Sequence, residues 1–351
     1  MRSRIPTLAA LLGVQLVIAA ALFMHHDAIS SNPPNAPFLT NAIGTSDRIL
    51  IDGPAKPGKP AAAPVELLDR NGTWLVHSAF DVPASKERVS ALIAQFGALR
   101  RGLPVANTKD ARARFEVATD RYSRRIRFDH AGHGIATVYL GKSAGLRKSY
   151  GRAAGERPIY SLGVATYHLP VRSSAWIDAK LLQIPADDIA EIDVHGPHGG
   201  GVELTRTVSG KQPPGPWHAT GLPTGRSLDA AKADALVRAI DELRVDDVLG
   251  EQALPDWQTN APQATFTIGR QTGHAVTWTL SKSKTGDQLV LKSSGEPWYF
   301  AIDSTTAQPL LDAAAAGGLA EAPPTHAPPH RAPRARASFV HGRGQPHAPA
   351  N

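Results

Sequence analysis

The chain reads as an α+β protein: an N-terminal transmembrane helix followed by two tandem sheet-plus-helix repeats built from mostly antiparallel strands. Three observations predict this. An uncharged apolar run stands near the N-terminus, alternating strand patterns and amphipathic helix patterns follow it, and the order of those patterns starts again halfway along.

The apolar run is Ile5 to Met24, twenty residues without a charge and with Gln15 as its strongly polar side chain. A helix of that length is about 30 Å long, the thickness of a bilayer's hydrocarbon core. Arg2 and Arg4 precede it, and His25, His26 and Asp27 follow. The positive-inside bias then keeps the N-terminus in the cytoplasm and puts the rest of the chain in the periplasm. A cleaved signal peptide is the alternative, because Ala19 to Ala21 are small. Signal h-regions, however, usually run about 7–15 residues. Residues 1–27 are therefore expected to be a cytoplasmic stub and anchor, and the Pro-, Asn- and Ser-rich residues 28–46 a spacer.

The first repeat is expected over 47–185. It opens with the alternating Asp47 to Asp52, then a Gly/Pro-rich loop, Gly53 to Pro64. Strands over Val65–Asp69 and Thr73–Val76 are joined through Asn71-Gly72, a pair that tolerates the positive φ of a hairpin turn. Asn71-Gly72-Thr73 also matches a glycosylation sequon and is read as a turn. Ser85 is placed as the cap of a helix to about Leu99, with Val89, Leu92, Ile93, Phe96 and Leu99 on one face. Strands are expected at Arg114–Thr119, Arg125–Asp129, Ile135–Leu140 and Pro158–Leu162, with Tyr150 in the same sheet, and a short linking helix at Ser173–Leu182.

The second repeat is expected over 186–322. Asp188–Val194 answers the first strand, His195–Gly201 the Gly/Pro loop, Val202–Arg206 the strand VELLDR, and Trp217 answers Trp74. Ser227 is placed as the cap of a helix bearing Leu236, Val237, Ile240 and Leu243, ahead of strands at Thr265–Ile268, Val276–Leu280, Leu289–Leu291 and Trp298–Ile302. Residues 323–351, rich in Pro, Ala, Arg and His, cannot bury a core and are expected to be disordered.

The formal charge of +7 divides unevenly. Residues 47–185 hold 22 Lys and Arg against 12 Asp and Glu, and residues 186–322 hold 10 against 18. No nucleic-acid reading element accompanies the basic half. The chain has no cysteine, which excludes disulfides, thiolate metal sites and a cysteine nucleophile.

No stretch forms a catalytic signature. There is no G-x-S-x-G, and the Gly-rich loops lead from strand to strand rather than into a helix. His195 and His198 lack a ligand-spaced partner and are read as turn residues. The tail histidines His326, His330, His341 and His347 could bind transition metal only weakly, and no metal site or cofactor is expected. Asp187-Asp188 and Asp246-Asp247 are read as solvated caps. The candidate binding site is Arg121, Arg124, Arg125 and Arg127, a basic cluster straddling a turn that suits lipid phosphate or an acidic partner.

Several runs resemble an uncharacterised bacterial family, domain of unknown function 4340. They are the Trp74 strand, Gly102–Asn107, Arg114–Ala118 with Arg124-Arg125-Ile126, Tyr139–Lys142 and Trp176–Leu182. These are strand ends and turns and carry no catalytic residue across. The resemblance implies an accessory subunit associated with gliding-motility-type ABC exporters, partnered with permease and ATPase subunits; the basic cluster adds anionic lipid as a further expected partner. The expected function is thus a non-enzymatic, membrane-anchored periplasmic accessory or scaffolding protein. An envelope hydrolase or a cell-wall or polyanion binder is the alternative.

Overall fold

The computed structural model describes residues 12–17, 20, 35–54, 62–209, 213–284 and 288–322. Of the expected anchor, residues 12–17 and 20 are described. They are helical and exposed. Among the described residues no helix is long and apolar enough to cross a membrane. The remainder of the anchor and the 323–351 tail lie outside the described residues.

The architecture is α+β, with two eight-stranded antiparallel sheets. The first contains β1 (Arg48–Asp52), β2 (Val65–Arg70), β3 (Thr73–Val76), β4 (Val82–Pro83), β5 (Arg124–His130), β6 (His133–Gly145), β7 (Lys148–Ala153) and β8 (Tyr160–Leu162), in the order β4-β3-β2-β1-β5-β6-β7-β8. The second contains β9 (Ile189–His195), β10 (Gly201–Thr205), β11 (His218–Thr220), β12 (Asp247–Gly250), β13 (Ala264–Arg270), β14 (Val276–Lys282), β15 (Leu289–Ser293) and β16 (Tyr299–Ile302), in the order β11-β10-β9-β13-β14-β15-β16-β12. The two paths are the same except at the edges. β4 extends the first sheet beside its third strand, whereas β12 extends the second beside its last.

Each sheet receives one 12-residue helix, inserted before the chain returns to pair beside its first strand: α1 (Lys86–Gly97) and, after the short α2 (Lys109–Phe115), α3 (Ala230–Asp241). In α1 the Ser85 hydroxyl accepts from the Arg88 amide, and Val89, Leu92 and Phe96 are buried. Phe96 meets Phe128 of β5 with ring centroids 5.5 Å apart. Burying one such side chain stabilises by about 1.5–3 kcal/mol, so the apolar stripe fixes the side of the sheet on which the helix lies. Strand alternation does the rest: Ile49, Ile51, Leu67, Ile126, Phe128 and Val138 face the core. Asn71 (φ 57°) and Gly72 (φ 84°) form the β2–β3 turn with both residues left-handed.

Several expectations are corrected. Arg114–Thr119 is not a strand. Thr108 accepts from the Ala111 amide at 3.2 Å, Asp110 stands in the first turn and Arg112 and Arg114 in the last, so α2 forms and ends at Glu116 in a left-handed conformation. The second helix is capped by Asp229, whose carboxylate accepts from Ala231 and Lys232. Ser227 instead receives the Glu321 amide at its carbonyl. Ser173–Leu182 holds just a 3-10 turn, Ser173–Trp176, because Ile177 is drawn into an extended bridge with Ala84. A further helix, α4 (Ser304–Ala314), packs beside α3, although Pro309 lies inside it and obscures its pattern; Asp303 caps it. The described part of the expected spacer, residues 35–46, is seated on the first sheet. Phe38 and Ile43 are buried in the core, and the Arg101 guanidinium donates to the Pro37 and Phe38 carbonyls at 3.0 Å.

One buried cluster runs from Phe38 through both sheets to Leu319. Backbone and side chain both bridge the halves: the Val245 amide donates to the Ala179 carbonyl at 2.9 Å, and the Trp298 indole donates to the Phe80 carbonyl at 2.9 Å.

Candidate functional site

Strand alternation separates the four expected arginines. Arg125 and Arg127 lie on the outer face of the first sheet, and Arg124 on the opposite one. Arg125 forks onto Asp52 with Nε at 2.9 Å and Nη2 at 3.0 Å, and its guanidinium lies 5.5 Å from the Tyr122 ring centroid. That bidentate bond raises its pKa further. Arg127 sits 3.1 Å from the Asp129 carboxylate. Arg124 donates to the Leu169 and Ser123 carbonyls, each at 2.7 Å, and burial lowers its pKa. Arg121, 60% exposed, faces Glu116 at 3.7 Å. The cluster therefore splits into internal ties and one outward cation at the end of β5.

That end of β5 adjoins a projecting hairpin. β6 is 13 residues long, and its pairing with β5 stops at Leu140, opposite Arg124. The Ser123 amide donates to the Leu140 carbonyl at 2.9 Å. Beyond that point β6 continues to Gly145 paired with β7 alone, while β8 stops at the level of Ser149. Past the Ser143–Ser149 pair, two residues of β6 at about 3.3 Å each carry the two-stranded tip about 7 Å beyond β8. The turn closes through Gly145 (φ 124°) and Arg147 (φ 55°). Its crown is Leu146, 90% exposed, with Arg147 and Lys148 beside it and Lys142 below, all exposed and with no acid between 142 and 148.

The base of the hairpin is braced. An added Cβ at Gly141 would meet the Phe115 carbonyl oxygen at 1.9 Å, so the C-terminal end of α2 lies directly on the β6 backbone. The Phe115 ring packs on Tyr150 of β7, centroids 4.3 Å apart. Glu116, at the end of α2, lies 3.7 Å from Arg121 and 3.9 Å from Lys142 and accepts from the Ser123 hydroxyl at 3.2 Å. The arrangement presents an exposed apolar side chain with cations beside it on a braced base. Lys142, Leu146, Arg147 and Lys148 were not foreseen from sequence. The signal was the Gly-Leu-Arg-Lys step between two strand patterns, a turn with a large apolar residue at its tip.

The other candidates resolve into structural roles or surface grooves. Asp188 accepts from Arg270 Nε and the Thr272 amide, each at 2.9 Å, and from the Thr272 hydroxyl at 2.7 Å. Burial pushes its pKa up, and these bonds outweigh burial and bring it below the ordinary value. Asp246 is pushed up by burial and by Asp303. His195 lies 3.4 Å from Asp193. Among the described residues no three His, Cys, Asp or Glu are grouped to hold a metal ion; the tail histidines fall outside those residues. A groove of about 340 Å³ runs between α1 and the Thr166–His168 turn, lined by Arg88, Gln95, Tyr167, His168 and Trp176.

A family model described as "Domain of unknown function (DUF4340)" matches residues 74–265, more than half of the chain, from β3 in the first sheet to the start of β13 in the second. No curated protein and no solved structure matches.

Proposed function

The chain belongs to the DUF4340 family, and from that premise we propose that it is a membrane-anchored periplasmic accessory or scaffolding protein of an ABC-type export system, without a catalytic step of its own. In this reading Ile5–Met24 holds the chain in the inner membrane, N-terminus in the cytoplasm, and the two sheets present a rigid body above the bilayer. A body with one continuous core moves as a unit, so a partner gripping any part of it positions the whole.

The observation that carries the proposal is the cationic hairpin crowned by Leu146. An exposed leucine at the tip of a hairpin that runs on past β8 does nothing for the fold and offers an apolar anchor with a polar rim. Its partner is an acidic surface of a permease or ATPase-associated subunit, with the flanking cations steering approach. Anionic lipid would satisfy the same charges without specificity.

A photo-crosslinking residue in place of Leu146, activated in intact cells and followed by mass spectrometry, tests this. Adducts with an ABC permease subunit support the proposal. Adducts with lipid alone, or none at native expression, would overturn it and favour an envelope enzyme or polyanion binder.

A further inference from the structure

We propose that the outer face of the second sheet carries a binding site for a small oxyanion, a phosphate or carboxylate group, held by the Lys292 ammonium and the surrounding hydroxyls. The site is a cavity of about 230 Å³ lined by Thr259, Thr279, Ser281, Val290, Lys292 and Tyr299. Its residues come from three adjacent strands. Thr279 of β14 stands opposite Lys292 of β15, Ser281 opposite Val290, and Lys292 opposite Tyr299 of β16. These alternate residues share the face away from the core side chains Trp278, Leu280, Leu291 and Phe300. Thr259 is supplied by the loop after the Pro255–Trp257 turn, and Trp257 packs on Tyr299 with ring centroids 5.3 Å apart.

The chemistry of the lining selects the ligand. It offers one cation, four hydroxyl groups and one aliphatic wall, and no carboxylate. The Lys292 ammonium donates to the Ser293 carbonyl at 2.9 Å and to the Glu296 carbonyl, and stands 5.6 Å from the Tyr299 ring centroid. Two of its three N–H groups are thereby accounted for. Among the described residues it forms no ion pair within 4.0 Å, and Glu296 acts on it through space, so the charge is fixed in position without a direct carboxylate contact. Ser281, 1% exposed, has a buried Oγ with no hydrogen-bond partner. A buried hydroxyl left unpaired is destabilising, and a ligand oxygen is what would complete it. Burial lowers the Lys292 pKa and raises that of Glu296, and in each case burial outweighs the attraction between the two charges. Most of the second half is acidic, so long-range steering does not favour an anion there and recognition rests on these local donors.

The test uses the full chain in a phosphate-free detergent solution. Inorganic phosphate is followed by its ³¹P line width and acetate by saturation transfer to its methyl group. Either anion should bind in the millimolar range, and the one that binds identifies the phosphate or the carboxylate chemistry. Lys292→Met should weaken binding at least about tenfold, the value of a hydrogen bond to a charged group, and Ser281→Ala several-fold with an unfolding temperature that does not fall. If Lys292→Met fails to fold, Ser281→Ala decides. No binding of either anion, or equal binding by the wild type and Ser281→Ala, would overturn the proposal.

Discussion

The indole Nε1 of Trp298 donates to the backbone carbonyl of Phe80 at 2.9 Å, joining residues 218 apart in the chain and one sheet to the other. Phe80 (φ 59°) and Asp81 (φ 56°) are both left-handed, a conformation that costs a non-glycine residue about 1–2 kcal/mol. Asp81 is held by Arg70 at 3.1 Å and His77 at 2.7 Å. The turn is therefore fastened from both sides, and Trp298 is the fastening that comes from the other half of the molecule.

Trp298→Phe retains an aromatic ring and deletes the donor. It should lower stability by about 1 kcal/mol and leave secondary structure intact. Urea unfolding followed by circular dichroism checks the midpoint. If the two halves lean on this joint, the transition should also broaden or split.

Gly141→Ala should destabilise by about 1–3 kcal/mol or more. The new Cβ meets backbone, the Phe115 and Glu116 carbonyl oxygens, and not the end of a flexible side chain. The strand or the end of α2 must shift. Thermal unfolding measures the loss, and amide exchange should show it concentrated in α2 and the hairpin base.

Asp188 makes a pH prediction. Its folded-state pKa is lowered, because its bonds to Thr272 and Arg270 outweigh the burial that would raise it. The stabilisation is thus fully present above the ordinary unfolded value of about 3.9 and is lost as pH falls through the depressed folded value. Asp188→Asn should cost about 1–2 kcal/mol at neutral pH and flatten the acid limb of a stability–pH curve. Equal acid limbs in the two proteins would contradict this reading.

At the hairpin crown, Leu146→Asp together with Arg147→Glu and Lys148→Glu should change stability by no more than about 0.5 kcal/mol, since all three side chains are exposed. Recovery of a partner in pull-downs from solubilised membranes should fall sharply. Loss of folding along with recovery would show that the tip has a structural role.

What the sequence determined by itself is what depends on neighbours along the chain. The Asn71-Gly72 turn follows from the positive φ these two residues tolerate. The buried stripe of α1 follows from the spacing of Val89, Leu92 and Phe96, and the alternation that buries Ile126 and Phe128 follows from the two-residue period of β5. The doubled order of elements was equally legible, and the two sheets follow one path. Local competition already blurred the result where patterns overlap: Arg114–Thr119 alternates like a strand, yet the Thr108 cap upstream favours a helix that buries Ala111.

Tertiary structure decided everything that joins distant residues. The pairing of β1 with β5 sets Asp52 beside Arg125, and Asp129 and the Leu169 carbonyl engage two more of the four expected arginines. The end of β5–β6 pairing at Leu140 and of β7–β8 pairing at Ser149 leaves Leu146 at a free tip. The stacking of β14, β15 and β16 gathers Ser281, Lys292 and Tyr299 around one cavity. The reason is physical: a side chain's period announces which face it takes, whereas its neighbour across a sheet is chosen by register and shared burial among segments that do not adjoin in sequence.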